Sequence, residues 1–245
     1  MSTLVPTRVM EMHRREQAAL GGRIAVGAAE LVRTRLNVDD PDRGFSALLA
    51  ALLELIRGGR SVSEELAMEF YRYLREVEGA SGQAPDVPPV PFPTDSVVGS
   101  MIYTGPRMAK AMRRRGDDTQ LAARVGGAVG RSAMRHTLNA GREATRQAVV
   151  RDPAAWGWAR VTDADPCDFC RMLATRGPVY KSAAAAGELR RYHDGCACSV
   201  VAVFRGGRPS VSPPRGRSRR GSDGLTDRRR EVIERVRREV AQSRT

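Results

Sequence analysis

Residues 156–204, WGWARVTDADPCDFCRMLATRGPVYKSAAAAGELRRYHDGCACSVVAVF, hold every cysteine of the chain and one of its three histidines. The cysteines fall in pairs, Cys167-x-x-Cys170 and Cys196-x-Cys198, with His193 three residues before Cys196. Two soft donors two residues apart, followed about two dozen residues later by a His/Cys knot, is the spacing of a tetrahedral zinc site. A C-x-x-C turn puts two sulfurs on one side of an ion. The H-x-x-C-x-C knot offers three donors for the two remaining positions, and spacing leaves open which of His193, Cys196 and Cys198 stays outside. Two disulfides would use the same cysteines, and so would a reactive thiol. No signal peptide is visible at the N-terminus, so a reducing compartment and a structural Zn2+ are expected.

Around the cysteines the stretch reads as a small sheet. Trp156–Val161 alternates in the manner of a strand, Val179-Tyr180 suggests a second and Ser199–Phe204 a third, with a turn and short helix over 167–175. A sheet of two or three short strands is marginal alone, and metal-binding energy would make up the shortfall.

The order of motifs here, Cys167-x-x-Cys170, then Gly177-Pro178-Val179-Tyr180, then His193-Asp194-Gly195-Cys196-Ala197-Cys198-Ser199-Val200-Val201, resembles the Mu F-like minor head proteins of tailed bacteriophages. The segment Arg160-Val161-Thr162-Asp163-Ala164-Asp165 resembles that family's approach to its first cysteine pair. The family often has Pro after the histidine and Arg between the last cysteines, where this chain has Asp194 and Ala197. The resemblance covers about residues 100–204. It implies a non-catalytic minor capsid or head-morphogenesis protein, made in the host cytoplasm and carried in the virion in multiple copies. Its implied partners are the portal and a capsid or scaffolding protein.

Upstream of the knot, residues 118–151 read as one long helix stopped by Asp152-Pro153. Arg124, Arg131, Arg135, Arg142 and Arg146 are spaced 7, 4, 7 and 4, which confines them to one stripe about 33 Å long. The other side, Ala122, Gly126, Val129, Ala133, Thr137, Ala140, Ala144 and Ala148, is made of small residues suited to close packing. Glu143 is the lone acid between Gln120 and Arg151, so the stripe is a candidate contact for double-stranded DNA or an acidic partner. A solvated face is the alternative. The net charge of +13 and pI near 10.8 favour polyanions generally.

The first 79 residues, in contrast, are nearly balanced in charge. They predict a three-helix bundle: residues 7–36, then a helix from Asp40-Pro41 to Ile56 ended by Gly58-Gly59, then one opened by a Ser61-x-x-Glu64 capping box. His13 is expected in solvent and His136 in a structural role. Residues 80–94, ASGQAPDVPPVPFPT, predict a proline-stiffened linker and a domain boundary. Thr94-Asp95 opens a short helix that Thr104-Gly105-Pro106 interrupts. Residues 205–224 predict a disordered basic tail, and 226–243 a terminal amphipathic helix with Val232, Ile233, Val236 and Val240 on its apolar stripe.

The expected architecture is therefore mainly α with a small α+β zinc-stapled module. Its divisions are 1–79, 80–94, 95–152, 153–204 and 205–245. Enzyme classes fit poorly. An HNH nuclease needs more histidines than His13, His136 and His193, every cysteine belongs to a pair, and no phosphate-binding glycine loop is present. The runner-up reading is a zinc-module nucleic-acid-binding protein; a Cys/His hydrolase or nuclease comes third. No apolar run is long enough to cross a bilayer.

Overall fold

In the computed structural model the described residues are 7–117, 119–162, 166–168, 170, 174 and 192–204. Three long helices carry the fold: α1 (Thr7–Arg35), α2 (Phe45–Val77) and α5 (Leu121–Arg151). Between α2 and α5 lie α3 (Thr94–Ile102), a π turn (Tyr103–Arg107) and α4 (Met108–Arg114). Two strands, β1 (Ala155–Val161) and β2 (Ser199–Phe204), pair antiparallel from Ala155↔Phe204 to Val161↔Ser199, with an irregularity between Ala155 and Gly157. The fold is mainly helical with one small sheet, as the sequence predicts.

Small residues decide how the long helices meet. A Cβ placed on Gly130 would lie 2.5 Å from the Ala25 carbonyl oxygen, and one on Gly141 only 2.4 Å from that of Ser63. Glycine at these two positions lets α5 press its backbone onto α1 and α2. Ala133, Ala140, Ala144 and Ala148 on the same side are fully buried, so the small face is the packing face. Two apolar clusters result. One gathers Leu20, Ile24, Leu48, Leu52, Ile56, Met101 and Val125 from α1, α2, α3 and α5. The other gathers Phe70, Tyr71, Leu74, Val149, Trp158 and Phe204, so the sheet shares a core with α2 and α5. Buried polar groups also join α1, α2 and α5: Gln17 Nε2 donates to the Ser63 carbonyl at 2.9 Å, Ser63 Oγ donates to Gln17 Oε1 at 2.8 Å, and Arg60 donates to the His136 carbonyl at 2.9 Å.

Four expectations need correcting. The predicted second and third helices are one, because Gly59 lies inside α2 and gives room to Ile24 and Thr137, whose atoms would come within 3.0 Å of an added Cβ. That helix starts at Phe45 and not at Asp40-Pro41: Asn37 Oδ1 accepts from the amides of Asp39 and Asp40, and Gly44 turns the chain with φ 75°. Ser61 and Glu64 form no capping box; Glu64 instead accepts the Val90 amide at 2.8 Å. Finally, residues 80–93 do not divide two domains. They are a strap along α2, held by Glu64, by Arg60 donating to the Pro91 carbonyl, by Phe92 beneath the Arg57 guanidinium, and by Arg75 donating to the carbonyls of Ala80, Ser81 and Gly82. The described residues all belong to one compact unit.

At the far end of α5, Asp152 ties the helix end to α2. Its side chain is fully buried and accepts from Arg75 Nε and Tyr71 Oη, each at 2.8 Å, and from the Ala154 amide. Burial alone would raise its carboxyl pKa, and these donors overcome that and hold it below the ordinary range. The chain then enters β1. The predicted strand at Val179-Tyr180, the basic tail and the terminal helix lie outside the described residues.

Candidate metal centre

The five candidate ligands come from two segments at one end of the sheet, where Val161 pairs with Ser199. Cys167 and Cys170 follow β1, and His193, Cys196 and Cys198 precede β2. Antiparallel pairing of β1 with β2 brings the two groups together. Their donor atoms form two triplets, each within 4.8 Å: Cys167, Cys170 and His193, and Cys170, Cys196 and Cys198. Cys170 belongs to both.

Several details fit a divalent ion. Cys170 Sγ and Cys196 Sγ are 3.7 Å apart, too far for a disulfide of about 2.05 Å and close to the edge, about 3.8 Å, of a tetrahedron with Zn–S bonds of about 2.3 Å. All four cysteines are free. The Cys170 amide donates to Cys167 Sγ at 3.4 Å, which closes the C-x-x-C turn. His193 Nδ1 faces the Asp194 carbonyl oxygen at 3.0 Å and Nε2 faces Cys167 Sγ at 3.1 Å. A backbone carbonyl on Nδ1 is the usual way to keep Nε2 ready for a metal.

The thiols are already biased toward that role. Hydrogen bonds from Cys170 and Cys198, with the charge of Arg142, pull the Cys196 thiol far down against burial. Donation to Cys196 and Cys198, together with burial, pushes Cys170 far up. At Cys167 burial acts upward, but the Cys170 amide and His193 win and lower it. The bond to the Asp194 carbonyl raises His193. A cation bound there would compete with protons for the sulfurs.

Helix α5 is the seat of this knot. Gly195, at φ 80°, makes the turn between His193 and Cys196, donates its amide to the Arg131 carbonyl at 3.2 Å and lies against the Arg131 side chain. Arg135 Nε donates to Asp194 Oδ1 at 2.5 Å. Arg142, only 7% exposed, donates to the carbonyls of Cys196 and Cys198, both at 2.7 Å from Nη2, and again to Cys198 from Nε. Its guanidinium covers one face of Tyr192 at 3.7 Å, while Arg160, 3% exposed, stands 4.0 Å from the same ring and donates to Cys170 Sγ at 3.4 Å.

The arginine stripe therefore needs revision as a nucleic-acid surface. Arg142 is buried in the knot and cannot reach a phosphate. Arg135 is engaged with Asp194, and Arg146 pairs with Glu143. Arg124 pairs with Asp117 but is exposed, as is Arg131. The 7-and-4 spacing marks the face of a helix that meets the knot. Arg160, Tyr192 and Asp194 were not singled out from the sequence as site residues. The adjacency of Tyr192 and Asp194 to His193 is the signal that could have found those two, whereas Arg160, ten residues before the Cys170 it contacts, lies in β1 and carries no such signal.

The signature of the VG15 protein family matches residues 5–216, which includes every described element. The chain belongs to the VG15 protein family. The Gene 15 protein of Mycobacterium phage D29 is 32% identical, with 30% of this VG15-family chain and 38% of that protein covered. The matched region thus spans well under half of that relative's length. No solved structure matches the chain. Among the described residues, no helix is long and apolar enough to cross a membrane.

Proposed function

We propose that this VG15-family chain is a non-catalytic, virion-associated protein of a bacteriophage, acting in head assembly in the manner of the Mu F-like minor head proteins. Its Cys/His knot would be a structural Zn2+ centre. The observation that carries the reading is the convergence of five soft donors on the flank of α5, together with VG15-family membership and the likeness to a phage Gene 15 protein. Zinc there would hold the 167–170 and 192–198 segments in one shape, giving the particle a rigid surface for portal, capsid or scaffolding contacts. Asp194, where the Mu F-like pattern often has Pro, has its own use as the partner of Arg135. Double-stranded DNA is a proposed secondary contact, made through exposed arginines such as Arg124 and Arg131 and strongly salt-dependent.

The test is metal analysis of the purified full chain and of Cys167→Ser, together with recovery of the chain from infected cells at high salt. About one zinc per chain, lost in Cys167→Ser, and portal or capsid protein in the same particles are the expected results. A metal-free chain of unchanged stability would remove the zinc centre. A chain found only on nucleic acid, released by salt and absent from particles, would remove the assembly role.

A further inference from the structure

We infer that Arg142 is the positioning residue of the metal centre, with Arg160 as its counterpart across Tyr192. The inference rests on the metal reading above and goes beyond it by naming what shapes the ligand set. Nearly buried arginines are costly to desolvate, and they persist where the charge has a use. Here the fold places two of them on either side of one aromatic ring, each turned toward a different part of the sulfur cluster. Arg160 contacts Cys170 Sγ, the donor shared by both triplets. Arg142 donates to backbone: its Nη2 is shared between the carbonyls on either side of Ala197, and its Nε repeats the bond to Cys198. That fork sets the curvature of 196–198, and with it the direction in which Cys196 and Cys198 present their sulfurs.

Electrostatics points the same way. Three thiolates and a histidine around a divalent cation leave one negative charge, and four thiolates leave two. Burying that charge at the sheet end requires positive charge within a few ångströms, which Arg142 and Arg160 supply. Arg142 projects from the middle of α5, so the ligand set is referenced to the rigid helix and not to its own loop. Asn139 Oδ1 accepts from Arg142 Nη1 at 2.9 Å and fixes the side chain from one turn back.

The experiment titrates the metal-free full chain with Co2+, reading the thiolate-to-metal absorption, followed by Zn2+ competition. Arg142→Gln is expected to weaken Co2+ binding about 10- to 100-fold, the usual cost of removing an outer contact to a ligand, and to shift the absorption bands. Arg142→Lys should recover part of the affinity, because it keeps the charge but not the fork. Asp152→Asn serves as control: it breaks a buried ion pair away from the knot, lowers stability, and should leave affinity and bands unchanged. If wild type binds Co2+ and Arg142→Gln binds within twofold of it with the same spectrum, the inference is wrong while the metal centre stands. Should Arg142→Gln lose its helical signal, Arg142→Lys carries the comparison, and wild-type affinity and bands there overturn it. No Co2+ uptake by wild type removes both the centre and this inference.

Discussion

His13 and Arg142 have exchanged the places expected of them. The histidine, predicted in solvent, is 3% exposed and stacks on Phe70 with ring centroids 4.1 Å apart. Its Nδ1 has no hydrogen-bond partner among the described residues. His136, expected in a structural role, is buried and has Nε2 2.9 Å from Ser100 Oγ. Burial lowers both imidazoles to about 4, with Arg135 adding to the effect at His136. The sign follows directly. An unfolded histidine takes its proton near pH 6.5 and the folded ones resist until about 4, so the unfolded state binds more protons between those values. Stability from the neutral pair is complete above pH 6.5 and is lost as pH falls toward 4. Each histidine should cost about 2 kcal/mol on going from pH 7 to pH 5. Urea unfolding at the two pH values checks this: His13→Phe, which keeps the stack, should remove its share of the drop. An equal drop in wild type and His13→Phe would mean the ring is not held neutral.

Between helices, the decisive quantity is how near two backbones can come. Gly58 and Gly141 lie in helix interiors, where alanine is the better helix former by about 1 kcal/mol. A Cβ on Gly58 meets nothing within 4 Å, whereas one on Gly141 meets the Ser63 carbonyl oxygen at 2.4 Å and Oγ at 2.7 Å. Gly58→Ala should therefore stabilise by about 0.5–1 kcal/mol. Gly141→Ala should destabilise by about 1–3 kcal/mol, because α5 must back away from α2 and disturb the Ser63–Gln17 bonds. Thermal melts of the two variants give opposite signs. A Gly141→Ala protein as stable as wild type would show that the α2–α5 crossing is looser than described here.

For the molecule as a whole, the sheet does not depend on a metal staple. Every residue of β2 is buried, and Phe204 meets Tyr71 edge-on at 5.5 Å within the core formed with α2 and α5. The expectation of a marginal sheet held by an ion is replaced by a sheet held by helices, which confines the proposed ion's role to the knot. Chelation should then abolish amide protection over 166–170 and 192–198 while α1, α2, α5 and β2 keep theirs in hydrogen exchange. Loss of helical ellipticity on chelation would contradict this division.

The amino-acid sequence by itself determined the long helix and its stop at Asp152-Pro153, the two strands and the set of candidate ligands. Each of these is a local pattern: a 3.6-residue period, a proline, a run of β-branched residues, a cysteine spacing. Tertiary structure decided the rest. Gly58-Gly59 read as a terminator because glycine ends helices, yet Gly59 is spent on closeness to Ile24 and Thr137, contacts 35 and 78 residues away in sequence. The five arginines read as one surface because they share a stripe, yet only packing could reveal that Arg142 turns inward to the carbonyls of Cys196 and Cys198. Periodicity reports which side of a helix a residue occupies; what covers that side depends on where the chain returns.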